Sequence, residues 1–236
     1  MADYIDSWIY EMFKFEPNES IVEMVKEALS EMINPVKLWL FTAIEDCWTC
    51  RETEKLIELI HTLAPTAGDR KLIEVHKLYR EKDKDIFEFM GVDRVPTILV
   101  DDGYIRYVGM PAGEEVKGFV ETVARISSGN HGLEPHIVNE IAKIRKKIVI
   151  EVIVTPPCPY CPYAAVMANM FAYISRKLGH GSITSIIVEA YENPDIADKY
   201  YVTTVPVIAI NGRVAFVGLP YEEQLLEAIK EVEEVS

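Results

Sequence analysis

Two apolar stretches that each end in a C-x-x-C motif decide the fold of this chain. Residues 36–50 read VKLWLFTAIEDCWTC, and residues 148–161 read IVIEVIVTPPCPYC. Each run is rich in β-branched and other apolar side chains, which predicts a buried strand that leads directly into two cysteines. The chain has 4 cysteines, and all of them belong to the first motif, Cys47–Cys50, or the second motif, Cys158–Cys161. The two motifs are therefore the candidate chemical centres.

The similarity between the two stretches continues downstream at an almost constant offset. Three landmarks recur in register, namely a cysteine at an offset of 111 residues (Cys47 and Cys158), a proline at 110 (Pro96 and Pro206) and a glycine at 109 (Gly109 and Gly218). Agreement over most of the chain indicates a tandem duplication. The periodicity breaks at Ser127–Gly132, so we predict a boundary near residue 130, with domains at 1–130 and 131–236.

Each repeat unit has the same predicted order of elements, which is helix, β, α, β, α, β, β, α. Apolar residues with helical spacing flank the motifs at 19–33, 56–64, 135–147 and 167–179. Strands joined through a helix pair in parallel, whereas the turns expected at Asp102-Gly103 and Asn211-Gly212 predict tight antiparallel hairpins. The predicted fold class is therefore α/β, with a mixed central sheet flanked by helices in each half.

The overall composition is that of an acidic globular protein. The chain has 236 residues, of which 49% are hydrophobic and 26% charged, and its formal net charge is −14. This balance leaves no basic stripe that would neutralise phosphates, so no nucleic-acid or membrane partner is expected. No basic segment followed by an apolar run marks the N-terminus, and no stretch of 18 apolar residues is present, so we expect a cytoplasmic protein. Abundant Glu, Lys and Ile with a single Gln suggest a thermophile.

With these motifs in place, each half resembles the thioredoxin fold. The resemblance is carried by the strand–C-x-x-C–helix unit, by the later Val-Pro pairs at 95–96 and 205–206, and by the glycine after each hairpin. The tandem arrangement over roughly residues 20–234 is similar to the protein disulfide oxidoreductases of thermophiles, which are glutaredoxin-like proteins with two thioredoxin units. The resemblance implies an enzyme that reduces, oxidises or isomerises protein disulfides and contributes to cell redox homeostasis.

The resemblance also implies roles for individual residues. The first cysteine of each motif would attack a substrate disulfide and the second would resolve the mixed disulfide, which gives Cys47 and Cys158 as nucleophiles and Cys50 and Cys161 as resolving thiols. The prolines would follow cis peptide bonds and lie against the cysteines. The residues expected to bind substrate are Val95, Pro96, Val205, Pro206, Trp48 and Tyr160.

Elementary thiol chemistry explains why each motif stands at the start of a helix. The thiolate is the nucleophile, and a free thiol with a pKa of about 8.5 supplies little of it at neutral pH. The unpaired N–H groups and the positive dipole end of a helix stabilise the sulfur anion and lower its pKa. The two intervening residues place the second sulfur one turn away, where it can expel the substrate.

The residues around the two motifs predict different reactivity. The first motif is flanked by Glu45, Asp46, Arg51, Glu52 and Glu54, which carry a net negative charge. A negative surrounding disfavours the thiolate, and no acid lies within the loop of the second motif. We therefore predict that Cys158 has a lower pKa than Cys47. The Cys-Pro-Tyr-Cys sequence also resembles glutaredoxins, which suggests a more oxidising second motif.

One position departs from the family pattern. Thioredoxins carry a buried aspartate six residues before the first cysteine, whereas this chain has Phe41 and Val152 there. The proton acceptor of the resolving thiols is therefore open, with Glu45, Asp46 and Glu151 as candidates.

Two other classes of function could also use paired cysteines on this fold. A zinc-binding module would use the four thiolates, but zinc ribbons separate their pairs by about 15–20 residues, whereas 107 residues separate Cys50 from Cys158. No metal site is therefore predicted. A non-enzymatic client-binding module with the thioredoxin fold would be favoured by the loss of one pair, and both pairs are intact.

The source of electrons is predicted to be another protein. No G-x-G-x-x-G sequence follows a predicted strand, so no flavin or nicotinamide cofactor is expected on this chain. The resemblance suggests a separate thioredoxin-reductase-like flavoenzyme as the electron donor, with glutathione as the second candidate. Disulfide-containing proteins are the expected substrates.

Overall fold

A computed structural model describes residues 7–235, which form an eight-stranded sheet covered by helices and a separate two-stranded sheet. The helices are α1 (Ser7–Phe13), α2 (Glu19–Leu29), α3 (Cys50–Leu63), α4 (Lys84–Met90), α5 (Glu115–Ser128), α6 (Pro135–Ile141), α7 (Cys161–Leu178), α8 (Pro194–Lys199) and α9 (Glu222–Val235). The strands are β1 (Val36–Thr42), β2 (Thr66–Ala67), β3 (Arg70–Lys71), β4 (Ile73–Tyr79), β5 (Thr97–Val100), β6 (Ile105–Val108), β7 (Ile148–Val154), β8 (Ile183–Glu189), β9 (Val207–Ile210) and β10 (Arg213–Val217). No helix within this range is long and apolar enough to cross a membrane.

Each half contributes four strands with the same pairing pattern to a single sheet. The strand order is β10-β9-β7-β8-β6-β5-β1-β4. β1 pairs in parallel with β4 and antiparallel with β5, and β7 pairs in the same way with β8 and β9. The halves are joined by the parallel pairing of β6 with β8, a junction that the repeat pattern does not predict. The boundary near residue 130 falls between α5 and α6 and stays a prediction.

The first predicted helix of each half is shorter than its apolar periodicity suggests. α2 begins behind Asn18, whose side chain caps the first turn, and it ends at Leu29. Met32 N then donates to Leu29 O at 3.1 Å, and after α6 Ile144 N donates to Ile141 O at 3.1 Å. These i to i−3 bonds tighten the chain into a turn. The periodicity extends beyond each helix because Met32 and Ile144 remain buried.

The two predicted hairpins differ in length. Asn211-Gly212 forms the expected two-residue loop between β9 and β10, with positive φ angles of 46° and 78°. Asp102-Gly103 instead lies in a longer loop, 101–104, because Val100 pairs with Ile105, so the prediction of a tight hairpin there is wrong. The carbonyl oxygen of Asp101 accepts a hydrogen bond from the indole of β1 at 2.8 Å, which ties this longer loop to the sheet.

A buried hydrogen-bonded network joins the two halves. Asn169 Nδ2 donates to Tyr107 OH at 2.8 Å and to Thr122 Oγ1 at 3.0 Å, and Ser185 Oγ donates to Asn169 Oδ1 at 2.8 Å. Two of these residues come from β6 and α5, and two come from α7 and β8. A buried polar group that loses its partner costs about 1–3 kcal/mol. The network therefore fixes α7 and β8 of the second half against the first half.

The start of α5 packs directly on the second motif. A Cβ atom added to Gly113 would come within 2.4 Å of Pro156 O, and Glu114 N donates to the same oxygen at 2.9 Å. One turn further on, a Cβ atom added to Gly118 would lie 3.0 Å from Pro162 Cα. Because these two prolines flank the second motif, the first half of the chain forms one of its walls.

This close approach predicts that Gly113→Ala destabilises the protein more than Gly68→Ala, although the two glycines have similar φ angles. Gly113 has φ +57° and Gly68 has φ +62°, but nothing lies within 4 Å of a Cβ atom built at Gly68. Both substitutions incur about 1–2 kcal/mol for the left-handed conformation, and Gly113→Ala adds about 1–3 kcal/mol of steric overlap. Chemical unfolding of the two variants measures the difference, and equal losses of unfolding free energy would contradict this prediction.

Candidate redox sites

Each motif lies where a strand ends and a helix begins. β1 ends at Thr42 and α3 begins at Cys50, while β7 ends at Val154 and α7 begins at Cys161. The first cysteine of each motif therefore precedes the helix by one turn, and the second cysteine is its first residue. The unpaired N–H groups of a first helical turn favour negative charge at this position. The placement predicted from the sequence is confirmed for both motifs.

Both motifs are closed by disulfide bonds. The Cα atoms are 5.4 Å apart in Cys47–Cys50 and in Cys158–Cys161. In the second motif, Cys161 N donates a hydrogen bond to Cys158 Sγ at 3.1 Å. Cys50 and Cys161 are 2% and 0% exposed, Cys158 is 7% exposed, and Cys47 is only partly buried. In each motif the first cysteine is thus the more accessible one.

The N-terminal segment packs against the first motif. The ring of Phe13 meets the ring of Trp48 edge-on at 4.9 Å, and the ring of Tyr10 lies 6.2 Å away. Phe15 N donates to Glu52 Oε2 at 2.8 Å, which ties the segment to the first turn of α3. Trp48 is half-buried as a result, so only part of its ring is accessible to solvent.

The acidic surrounding of the first motif is partly neutralised. Glu52 forms an ion pair with Lys55 at 2.8 Å, and Glu54 forms one with Lys77 at 2.9 Å. Burial alone would raise the pKa of Glu52, but the hydrogen bonds from Lys55 and Phe15 outweigh burial and lower it. The negative charge that acts on this motif is therefore smaller than the sequence suggests.

The second motif presents aromatic side chains to the surface. Tyr160, inside the motif, is 64% exposed, and Tyr163, in the first turn of α7, is 56% exposed. Large exposed apolar side chains of this kind are common on binding surfaces. The second motif therefore has two exposed aromatic rings at its surface.

The two Val-Pro pairs stand beside the motifs. The Val95–Pro96 and Val205–Pro206 peptide bonds are cis, as the resemblance implies. β5 starts directly after the first pair and runs antiparallel to β1, so Pro96 lies at the end of the sheet where β1 enters the first motif. β9 and β7 give the same arrangement for Pro206. Within residues 7–235, neither Val95 nor Val205 forms a backbone–backbone hydrogen bond.

The positions at which thioredoxins carry a buried aspartate are apolar and fully enclosed. Phe41 and Val152 are both 0% exposed. The Phe41 ring packs edge-on against Phe87, with 4.8 Å between the ring centroids. Neither position offers a group that could accept a proton.

The carboxylates considered as substitutes do not form a buried acid. Glu45 and Asp46 are exposed. Glu151 accepts a hydrogen bond from Tyr200 OH, and one of its oxygens lies 3.9 Å from Lys199 Nζ. Glu151 is therefore already engaged by a hydroxyl group and a cation.

Sequence reasoning missed three other glutamates near the motifs, which form the glutamate cluster (Glu115, Glu189 and the partly buried Glu192). Glu115 and Glu189 are 1% and 3% exposed. Both oxygens of Glu115 and one of Glu189 have no hydrogen-bond partner in the described part of the chain. The carboxylate of Glu192 accepts hydrogen bonds from Thr49 Oγ1 and from Met110 N. No spacing in the sequence marks these residues, because strands and loops distant along the chain enclose them.

The environment of the cluster favours protonated carboxyl groups. Burial raises the pKa of Glu115 to about 8, and the neighbouring Glu114 adds to this. Burial and the charge of Glu192 raise the pKa of Glu189 to about 8, and burial raises the pKa of Glu192 to about 7. Among residues 7–235, no group of three or more His, Cys, Asp or Glu side chains is arranged to hold a metal ion. Burial thus shifts these three carboxyl groups towards their neutral, protonated form.

These pKa values predict that stability falls as the pH rises. A glutamate in the unfolded chain has a pKa of about 4.3, so between that value and about 8 folding takes up a proton at Glu115. Below about pH 4 Glu115 makes its full contribution to the free energy of unfolding. Above that pH the contribution decreases by about 1.4 kcal/mol per pH unit until the pH passes the pKa of Glu115 in the folded protein. Chemical unfolding of wild type and Glu115→Gln between pH 5 and 9 should show the flatter curve for the variant. Glu121→Gln, on the same helix, is the control, and parallel curves for Glu115→Gln and wild type would refute the prediction.

Comparison with known proteins agrees with this geometry. The thioredoxin domain model matches residues 148–230. The thioredoxin of Methanocaldococcus jannaschii is 36% identical over 84 residues, which are 36% of this chain and 94% of that protein. A probable thioredoxin of Methanothermobacter thermautotrophicus is 38% identical over 82 residues, which are 35% of this chain and 92% of that protein.

Two solved structures resemble the whole arrangement. The alkylhydroperoxide reductase AhpF of Enterococcus faecalis superposes with a TM-score of 0.77 at 20% identity, over 90% of this chain and 99% of that one, and shows the same fold. The crystal structure of a protein disulfide oxidoreductase from Aeropyrum pernix superposes with a TM-score of 0.91 at 43% identity, over 95% of this chain and 97% of that one. The paired motifs, the duplicated mixed sheet and this similarity over nearly the whole length lead to one conclusion, that the chain belongs to the protein disulfide oxidoreductases of the thioredoxin fold.

Proposed function

We propose that the protein exchanges electrons between its two cysteine pairs and the disulfides of other proteins. The observation that carries this proposal is that both pairs reach disulfide geometry at a strand–helix junction. A C-x-x-C pair at this position alternates between dithiol and disulfide, because the helix start stabilises the thiolate formed when the bond opens.

The first cysteine of each motif is the proposed nucleophile, and its greater accessibility supports this role. In the second motif, Cys158 Sγ as a thiolate attacks a substrate disulfide, forms a bond to one substrate sulfur and releases the other as a thiolate. Cys161 then attacks Cys158, which re-forms the enzyme disulfide and releases the second substrate sulfur. The hydrogen bond from Cys161 N to Cys158 Sγ would stabilise the attacking anion. Cys47 and Cys50 would act in the same order in the first motif.

The proposed substrate-binding residues form the rim of each motif. The backbones of Val95 and Val205 are free of backbone–backbone hydrogen bonds in the described residues, so an extended client segment would pair with them as an added strand. Pro96 and Pro206 hold these valines in position beside the cysteines. The aromatic rings of Trp48 and Tyr160 would cover the apolar side chains of the client.

The electron donor is proposed to be a separate thioredoxin-reductase-like flavoenzyme, with glutathione as the second candidate. The direction of exchange follows the ambient redox potential, so one pair of motifs serves reduction, oxidation and isomerisation. Replacing dithiothreitol in an exchange assay by NADPH with such a flavoenzyme, or by glutathione, identifies the donor. Turnover with glutathione alone would reverse the assignment.

The proposal predicts that disulfide exchange depends on the cysteine pairs. Insulin reduction by dithiothreitol and reactivation of a scrambled disulfide protein would be measured for wild type, C47S/C50S, C158S/C161S and the variant that lacks all four cysteines. We expect each double variant to be slower than wild type, and the quadruple variant to fall to the uncatalysed rate because it has no thiolate. Unchanged exchange in the quadruple variant would exclude the enzyme in favour of a client-binding module.

The proposal also predicts that Cys158 is a more reactive nucleophile than Cys47. The hydrogen bond that its sulfur accepts from Cys161 N stabilises the anion by about 1.5–3 kcal/mol, which corresponds to about one to two pKa units. The pH dependence of iodoacetamide alkylation on reduced C47S/C50S and C158S/C161S measures each motif alone. We expect the lower midpoint in the variant that keeps the second motif, and equal or reversed midpoints would overturn the order.

A further inference from the structure

A single buried amide of the second half bridges both sides of the Val95–Pro96 segment. Asn193, in the loop after β8, is 3% exposed. Its Oδ1 atom accepts a hydrogen bond from the Arg94 guanidinium at 3.2 Å, and its Nδ2 atom donates to Val108 O at 3.2 Å. Arg94 directly precedes the segment, and Val108 pairs in the sheet with Thr97, which directly follows it. The second half therefore holds the backbone that the first motif would present to a client.

An ion pair between the halves fixes the direction of the Arg94 side chain. Arg94 Nη1 and Nη2 donate to the two carboxylate oxygens of Asp195 at 2.8 and 2.6 Å. This two-point geometry sets both the position and the orientation of the guanidinium group. The side chains are 35% and 61% exposed, and ion pairs with such exposure add little to stability. The main effect of this clamp (Arg94, Asn193 and Asp195) is therefore geometric.

Two further hydrogen bonds connect the clamp to the main chain around Pro96. Thr97 Oγ1 donates to Arg94 O at 2.9 Å, which closes a turn over the segment. On the other side, Gly109 N donates to Pro96 O at 2.9 Å, and Gly109 directly follows the valine whose carbonyl oxygen Asn193 binds. Both flanks of the segment are thus attached to groups that the second half holds.

The second motif lacks an equivalent clamp. Thr204 corresponds to Arg94 at the offset of 110 residues that relates the two prolines, and it is exposed. Val217 corresponds to Val108 at an offset of 109 residues, and it is 65% exposed. β10 lies at the edge of the sheet, so no neighbouring strand brings a loop against it in the described part of the chain. The two motifs therefore differ in how firmly their client-binding backbone is held.

We propose that Asn193 and Asp195 are positioning residues for the first motif, which act through Arg94 to hold the backbone of Val95 where an extended client segment pairs with it. This inference rests on the proposed function and adds the residues that determine how well the first motif binds such a client. A binding edge that is already ordered avoids part of the conformational entropy otherwise lost on binding. The clamp thus favours clients with an extended backbone beside the disulfide, whereas small disulfides that do not reach Val95 gain nothing from it.

The test compares two substrates on the first motif alone. Arg94→Ala, Asp195→Ala and the double variant would be made in the C158S/C161S background, with Asp195→Glu as the conservative variant. kcat and KM would be measured with dithiothreitol as reductant, both for an extended peptide whose cysteine carries a mixed disulfide and for hydroxyethyl disulfide. Amide hydrogen exchange of residues 93–97 reports how firmly the segment is held, independently of turnover. Circular dichroism confirms folding, and Arg94→Lys, which loses the two-point geometry, replaces Arg94→Ala if that variant does not fold.

Arg176→Ala is the matched control. Arg176 of α7 forms an ion pair with Asp102 in the loop between β5 and β6, so this pair also joins the two halves through an arginine and an aspartate. It lies at the end of β5 that points away from Pro96. The control therefore separates the position of the client-binding segment from a general weakening of the contact between the halves. The clamp variants in the C47S/C50S background observe the second motif and provide a further control.

We expect Arg94→Ala and Asp195→Ala each to raise the KM for the peptide about fivefold, which corresponds to about 1 kcal/mol, with little change in kcat. The double variant should raise KM no further, because both residues belong to one contact. Exchange at 93–97 should become faster, Asp195→Glu should stay close to the parent protein, and the kinetics with hydroxyethyl disulfide should be unchanged. Arg176→Ala and the clamp variants in C47S/C50S should behave as their parents do.

An unchanged KM for the peptide in folded clamp variants would overturn the proposal. Equal losses with both substrates, or the same loss in Arg176→Ala, would also overturn it, because either result indicates general damage rather than positioning. A parent protein that reduces hydroxyethyl disulfide but no peptide would instead contradict the proposed action on client disulfides, and the amide exchange would still decide whether the clamp holds the segment. The two failures are therefore distinguishable.

Discussion

Parallel pairing between β6 and β8 determines which segments of the opposite half pack against each motif. Four residues of each strand are in register, from Ile105 opposite Ser185 to Val108 opposite Val188. Without this pairing, β6 would be an apolar edge strand with unpaired backbone groups, which is a site for aggregation. With it, the two half-sheets become one sheet, and the ends of β6 and β8 lie side by side. The segment after β8 is therefore brought against the segment after β6.

This junction explains why each motif depends on the opposite half. The chain after β6 leads through Met110 to α5, and the chain after β8 leads through Glu192 to α8. Because the two strand ends are adjacent, Glu192 reaches Met110 N and Thr49, while Gly113 comes to rest on Pro156. The contact is close enough that a side chain at residue 113, just before α5, would overlap the backbone of Pro156. The duplicated units thus form a protein in which neither redox centre is built from one unit alone.

Enclosing carboxyl groups has a physical cost, because burial disfavours their charged form and raises their pKa. In a chain with a net charge of −14, repulsion between negative charges favours acidic side chains at the surface, where water screens them. Glu115 and Glu189 are nevertheless almost completely buried, and Glu189 lies where the two halves of the chain pack together. Buried titratable groups with displaced pKa values concentrate at sites where protons are moved.

Much of the fold was predictable because its signals are local. The apolar runs before the motifs, the helical spacing after them and the Asn211-Gly212 turn each depend on residues close together in the sequence. The predictions that failed needed longer-range information. The loop at 101–104 is tied by a hydrogen bond to β1, and the apolar periodicity continues past the end of α2 because Met32 is buried in the turn that follows the helix.

The two redox sites also combine features that local sequence predicts with features that depend on the tertiary structure. The sequence by itself determined the two cysteine pairs, their place at the start of a helix and the prolines beside them, because a spacing of two residues and a strand-to-helix transition are written in consecutive residues. Only the tertiary structure decided which acids are enclosed with them. Burial is a property of what surrounds a side chain, and the groups that surround Glu115, Glu189 and Glu192 come from strands and loops that lie far away along the chain and meet only when the two half-sheets join.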